Sequence, residues 1–434
     1  MIGLSNFKVF ESILLNKSFI EIKALLKDPF YKNSLYIYMN TIMSAGFGLI
    51  FFLIAARLYS AEYMGITSAL ISSAGIIVCL SGFGFQNSII RFLPSHPNRI
   101  SLISTSMFFS LFFTIFFSII YIEGINFISP TLGFLNEPFA GILFMSFLLF
   151  QLSINFFNSC FVSLRLAKYS FLQNFFLGSR LVFVLFLTSF GILGIFSSVV
   201  IAYMTAFIIG LLLINKLGIA PRLIFEMHNI RDLWTFSFAN YLSDSLSIAQ
   251  TSILPIFILN TIGAKEAAYF SIAFSIANIL YAIPGAIFTS MFVEGSHEEP
   301  LNVVILKSIK LNFLILIPAI FFLFFFGNYL LCLFGRDYSE NAFAILKILA
   351  ISSVFVAINS MVISIMKIHK DAIRLAIINL FIFILVVLFS YLLPSHIGLI
   401  GVALGWGLSQ LISSISFVII FKNNLIADKY NYRK

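Results

Sequence analysis

Charge is what this sequence has least of. Of its 434 residues only 10% are Asp, Glu, Lys or Arg, against about 25% in an average soluble domain. So sparse a charged surface excludes a soluble enzyme, a disordered chain and a nucleic-acid binder. Cysteine is scarce as well: Cys79, Cys160 and Cys332 stand far apart within apolar stretches. Neither a disulfide framework nor a thiolate metal site fits that spacing. His96, His228, His297, His369 and His396 are isolated, so no histidine metal site emerges. No G-x-x-x-x-G-K-[ST] loop occurs, which leaves out a built-in ATPase.

What the chain has in abundance is apolar length. Hydrophobic residues make up 60% and aromatic residues 17%, and the mean hydropathy is +1.05. A helix crosses the hydrocarbon of a bilayer in about 20 residues. Runs of that length fall at 36–57, 66–89, 101–121, 140–163, 172–190, 196–214, 234–259, 266–290, 310–332, 342–366, 373–393 and 398–421. Continuous apolar runs are not the alternating pattern of barrel strands. The expected class is therefore an all-α, polytopic membrane protein with 12 transmembrane helices.

The 26 Lys and Arg residues test this segmentation. With twelve spans, one side of the membrane holds only Arg57, Lys265 and Arg336, while Arg180 and Lys347 lie within spans. Every other basic residue falls on the first side, which the positive-inside rule assigns to the cytoplasm together with both termini. The formal net charge of +9 follows from that topology.

A six-span period divides the chain. A shift of 204 positions sets Asn40-Thr41 on Asp244-Ser245 and Glu62 on Glu266. Arg165-x-x-Lys168 returns as Lys367-x-x-Lys370. The expected plan is a cytoplasmic N-terminal segment 1–33, a six-helix lobe 34–215, a basic linker 216–232, a second lobe 233–421 and a tail 422–434. Halves of equal orientation imply a pseudo-twofold axis along the membrane normal and a cleft between two bundles.

Polar residues within spans are costly and face protein or water. Asn40 and Thr41 share a face of the first span, and Asn240, Ser243, Ser247 and Gln250 share one of the seventh. Gln151, Asn155 and Asn158 mark the fourth. They are candidates for a cavity lining, with interhelical hydrogen bonding as the alternative role. Arg180, Arg91 and Lys347 are candidate anion ligands, since guanidinium and ammonium groups match phosphate; Lys347 also sits close enough to its span end to snorkel. Asp244 suits a counter-ion, a proton site or a sodium ligand. Pro255, Pro284 and Pro318 mark expected bends, and hence expected moving parts in the second half. No catalytic constellation emerges.

Several segments resemble a known family. They are Ala55-Ala-Arg-Leu-Tyr-Ser-Ala-Glu-Tyr-Met-Gly65, Gly82-Phe-Gly-Phe-Gln-Asn-Ser-Ile-Ile-Arg-Phe-Leu-Pro94, Gly263-Ala-Lys-Glu-Ala-Ala-Tyr-Phe-Ser-Ile-Ala273 and Ile283-Pro-Gly-Ala-Ile-Phe-Thr-Ser-Met-Phe292. The chain is similar to the polysaccharide branch of the multidrug/oligosaccharidyl-lipid/polysaccharide exporter superfamily, above all the O-antigen (Wzx-type) flippases. Ala268 departs from the Gly common there. The resemblance implies a MATE-like pair of bundles around a cationic cavity in the bacterial inner membrane. It implies translocation of an undecaprenyl-diphosphate-linked oligosaccharide by alternating access, with H+ or Na+ coupling and no bound cofactor. Polysaccharide polymerase and chain-length proteins are the partners it suggests, and it maps the diphosphate onto Arg180 and Arg91. A cation-coupled drug antiporter and a non-transporting assembly scaffold are the rival functions.

Overall fold

The structure is a computed structural model that describes residues 29–222, 224, 226–295, 301–368 and 371–431. Most of the expected segment 1–33 lies outside them. All regular structure described is helical: α1 (Pro29–Leu58), α2 (Ala61–Gly82), α3 (Phe85–Phe92), α4 (Arg99–Glu123), α5 (Pro138–Ser163), α6 (Ala167–Phe175), α7 (Arg180–Phe186) and α8 (Gly191–Lys216). There follow α9 (Met227–Thr261), α10 (Ala264–Gly295), α11 (Leu301–Phe334), α12 (Arg336–Ile368), α13 (Ala372–Leu392) and α14 (Pro394–Asn431). Twelve helical segments are long and apolar enough to cross a membrane, in the order the apolar runs predict. The helices overrun several predicted limits: the ninth span is Val303–Phe334 and the tenth Arg336–Ile368. The loops rich in Lys and Arg define a basic face; the ends at Leu58, Thr261 and Phe334 define the opposite face.

Helices α1–α8 pack mostly among themselves, as do α9–α14, and the two halves meet along a seam. The centre of that seam is α2, which lies against α9 and α10. Small buried residues, among them Gly65, Ser68, Ala69, Ser73 and Ala74, allow this closeness, since without a hydrophobic driving force in lipid helices associate through close backbone approach. Gly65 is obligatory: a Cβ there would sit 1.7 Å from the Ala264 carbonyl oxygen. On the other flank α1 leans on α6 and α7 and touches the second half far less.

The opposite face is stapled. Arg57 ends α1 and donates from Nε to the Leu333 carbonyl (2.7 Å) and from Nη2 to that of Cys332 (2.7 Å). These are orphan carbonyls at the end of α11, where a cation also meets the helix dipole favourably. Arg57 thus serves as a cap on a helix of the other half. On the other side, Asn260 donates to the Ile128 carbonyl (2.8 Å) and accepts from the Ser129 hydroxyl.

The helical interruptions fall at places other than the three in-span prolines. Helices α9, α10 and α11 run through Pro255, Pro284 and Pro318. The breaks come instead after Gly82, where Phe83 (φ 48°) and Gly84 (φ 70°) are left-handed, at the 3-10 turn Phe176–Ser179, and at Ile397–Gly398. A left-handed Phe is strained. Packing holds it: its ring lies 5.0 Å from Phe113, 5.4 Å from Phe109 and, across the seam, 5.9 Å from Tyr241.

Candidate functional site

The break after Gly82 opens a cavity. Gly75, Gly82 and Gly84 remove side chains from one wall, and α3 restarts with Gln86 and Asn87 turned inward. Gln151 and Asn155 of α5 and Tyr241, Asp244, Ser247 and Ile248 of α9 complete a space of about 460 Å³. It lies in the basic half of the seam, for Asp244 is about 26 Å along α9 from Thr261 at 1.5 Å per residue.

Asp244 is the charged residue of the lining. Its Oδ2 accepts from Asn87 Nδ2 at 2.7 Å, across the seam. Lys367, in the last turn of α12, acts on it electrostatically. Beside it the Tyr241 hydroxyl donates to the Leu80 carbonyl (2.9 Å), and Cys79 Sγ lies 3.5 Å from Ser245 Oγ. Gln151 Oε1 is buried and meets no donor among the described residues. The amides of Gln86, Asn87, Gln151 and Asn155 give the lining several donors and acceptors.

Four predicted residues therefore converge here: Asp244, Gln151, Asn155 and Ser247. Others have different surroundings. Ser243 accepts from Asn379 Nδ2 (2.8 Å) and Gln250 donates to the Asn379 carbonyl (3.0 Å), so both join α9 to α13 in a buried contact. Asn174 donates to Asn40 (3.0 Å), Asn158 to Asn174 (3.3 Å) and Ser170 to Asn158 (2.7 Å), tying α1, α5 and α6. Thr41 bonds back to the Ile37 carbonyl and is exposed. The Asn240 side chain lies outside the described residues. Arg91 is exposed with its guanidinium 5.5 Å from the Phe92 ring. Lys347 is half-buried between Phe343 and Phe324, at 4.1 and 5.3 Å from their ring centroids.

Arg180 stands apart from Asp244. It opens α7 after the 3-10 turn, opposite Gly48, whose missing Cβ would lie 3.7 Å from its Nη2. Gly48 is only about 15 Å from the opposite-face end of α1. The guanidinium lies 5.2 Å from the Phe51 ring centroid, and Nε is buried with no hydrogen-bond acceptor among the described residues. Ion pairs among the described residues are Arg336–Glu340 and Arg374–Asp371, and Arg180 enters neither. The positive group expected in one gap with Asp244 is thus placed deeper, against α1.

Sequence reasoning passed over Asn87, Gln86 and Tyr241 as site residues. Their signal was present in the Gly82-Phe-Gly84 step, which interrupts a helix and re-aims the residues beyond it.

Comparison with known proteins bears on the whole chain. Residues 30–293 match the polysaccharide biosynthesis protein family. No curated protein matches. Among solved structures, an inward-facing multidrug resistance MATE family transporter of the MOP superfamily superimposes with a TM-score of 0.69 at 15% identity, covering 92% of this chain and 99% of that one. The lipid II flippase MurJ, in an inward closed conformation, gives 0.69 at 15% identity over 89% and 87%. A MOP transporter from Pyrococcus furiosus, described as having a binding pocket of reverse polarity, gives 0.59 at 16% over 93% and 98%. With its twelve spans, its seam and its fold accounted for, the chain belongs to the polysaccharide biosynthesis protein family and has the MATE-like fold.

Proposed function

We propose that this protein carries a polyprenyl-diphosphate-linked oligosaccharide, of the kind that builds O-antigen or another surface polysaccharide, from the cytoplasmic to the outer leaflet of the bacterial inner membrane. The basic face is cytoplasmic by the positive-inside rule. The observation that carries the reading is a polar cavity in the basic half of the seam beneath a stapled opposite face. That arrangement suits the loading state of an alternating-access cycle. Amides and hydroxyls of Gln151, Asn155, Gln86 and Ser247 line the space and offer sugars donors and acceptors. Arg180, deeper and without an anion of its own, supplies the charge for a phosphate; an unpaired guanidinium at membrane depth is costly unless it faces protein or water or finds a partner.

A second reading rests on Asp244, a carboxylate in a lining without Lys or Arg: an antiporter extruding cations. One experiment separates them. Deletion of the gene in its host is expected to pile up lipid-linked repeat units accessible from the cytoplasm and to abolish surface polysaccharide. Unchanged repeat units with raised drug sensitivity would transfer the protein to the antiporter class. On the flippase reading, Arg180→Ala loses surface polysaccharide and Arg180→Lys keeps part of it, because one phosphate contact survives. Charge-assisted bonds of this kind are worth about 1.5–3 kcal/mol, so the Ala variant should transport at least about tenfold more slowly.

A further inference from the structure

A groove on the first half shares no lining residue with the cavity of Asp244. It runs between α4, α5 and α8, with a volume of about 630 Å³, and its walls include Phe112, Leu149, Phe157, Phe207, Leu211 and Pro221. Ser153 is the one hydroxyl in the lining, and its Oγ is spent on the Leu149 carbonyl at 2.7 Å. Phe112 (64% exposed) and Leu211 (40%) form its lips. Leu211 sits about 8 Å below Lys216 along α8, so the groove lies in the basic-face half of the membrane. An apolar trough at this depth is filled by hydrocarbon.

What distinguishes it from an ordinary lipid-facing surface is its roof. The connector between the halves crosses here, and two hydroxyls of α4 strap it down: Ser104 Oγ accepts from the Arg222 backbone N–H (2.9 Å) and Thr105 Oγ1 from that of Glu226 (3.0 Å). Strapping fixes Pro221 as the end wall and sets the exposed Arg222 beside the mouth. Lys216, also exposed, ends α8 at the same membrane surface. Two cations at the membrane surface over an apolar slot match an anionic headgroup with one of its chains, as basic pockets between membrane helices do.

We propose that this groove is a binding site for an anionic phospholipid of the surrounding bilayer, its phosphate held by Lys216 and Arg222 and one acyl chain laid between α4, α5 and α8. Because the same strap carries the connector, a bound lipid ties the joint between the halves to the first of them.

The full-length protein in maltoside detergent is titrated with dioleoyl phosphatidylglycerol, dioleoyl phosphatidylcholine and a polyprenyl monophosphate, and retained lipids are counted by native mass spectrometry beside thermal unfolding. Phosphatidylglycerol should occupy one tight site and raise the midpoint, with phosphatidylcholine, of identical chains, binding much more weakly. Lys216→Gln with Arg222→Gln, both at exposed positions, should leave the lipid-free midpoint in place and weaken phosphatidylglycerol about fivefold for each cation removed. Leu211→Trp, which fills the groove, should remove the tight site. Equal retention of the two phospholipids, or phosphatidylglycerol binding unaltered in the double variant, overturns the proposal. Displacement of phosphatidylglycerol by the polyprenyl phosphate at equal or lower concentration also overturns it, by giving the groove to an isoprenoid tail.

Discussion

The two ends of the seam are made of different materials. At the opposite face, contacts between the halves run mostly to main chain: Arg57 to the Cys332 and Leu333 carbonyls, Asn260 to that of Ile128, and Gly65 against that of Ala264, with Ser129 to Asn260 the side-chain exception. Towards the basic face Tyr241 also reaches a main-chain carbonyl, that of Leu80, but the link bordering the open space runs from side chain to side chain, Asn87 to Asp244. Main-chain contacts are fixed by helix geometry and do not titrate. A carboxylate held by one amide does respond to its surroundings, to a proton, a cation or a sugar hydroxyl. On the proposed function, the closed end acts as a mechanical seal and the cavity end as the part that senses an occupant.

The comparison is broken most forcefully at Gly65. Gly65→Val puts a side chain where a Cβ alone would be 1.7 Å from backbone oxygen, so α2 and α10 must part and the seal should fail outright. In a Cys332→Ser background, Cys79 in the cavity is the reporter, because Cys160 is fully buried. A membrane-impermeant maleimide added from the outer side should label Cys79 in the Gly65→Val protein and not in its parent.

The sensing end comes next. Asp244→Asn preserves the shape and removes the charge, and should lower transport about tenfold, the loss of roughly 1.4 kcal/mol. It should also flatten any dependence of transport on an imposed proton or sodium gradient. A variant that still follows the gradient would take Asp244 out of ion coupling. Arg57→Ala removes two bonds to helix-end carbonyls at an exposed rim. The expected gain in outside labelling of Cys79 is about fivefold, a shift of about 1 kcal/mol. Asn260→Ala should be mildest, about twofold, since water replaces its bonds at the exposed edge; an effect larger than that of Arg57→Ala would reverse the order of the two staples.

Much of this was legible in the sequence. Span number and order follow from runs of apolar residues and from loop charge, both of which lipid enforces with large energies. Asp244, Gln151, Asn155 and Ser247 were legible because polar side chains in spans are too costly to be idle. What periodicity could not supply was partner choice. Gln250 and Ser243 share the helical face of Ser247, yet Asn379 claims them, from a helix 129 and 136 residues further along the chain. Arg180 was expected beside Asp244, but the 3-10 turn before it aims it at Gly48 and Phe51. The three in-span prolines leave α9, α10 and α11 unbroken, and the breaks form instead at Phe83-Gly84 and Ile397-Gly398. There tertiary packing, aromatic rings around Phe83 in particular, outweighs the local preference.

The left-handed step at Phe83 and Gly84 gives the central rod of the molecule an elbow. One arm, Ala61–Gly82, is seated on α10 through Gly65; the other, Phe85–Phe92, carries the amide that grips Asp244. Joined arms of this kind need not turn together. On the proposed flippase reading, the grip on the carboxylate would loosen while the contact at Gly65 stays shut, making loading and release separate events in time.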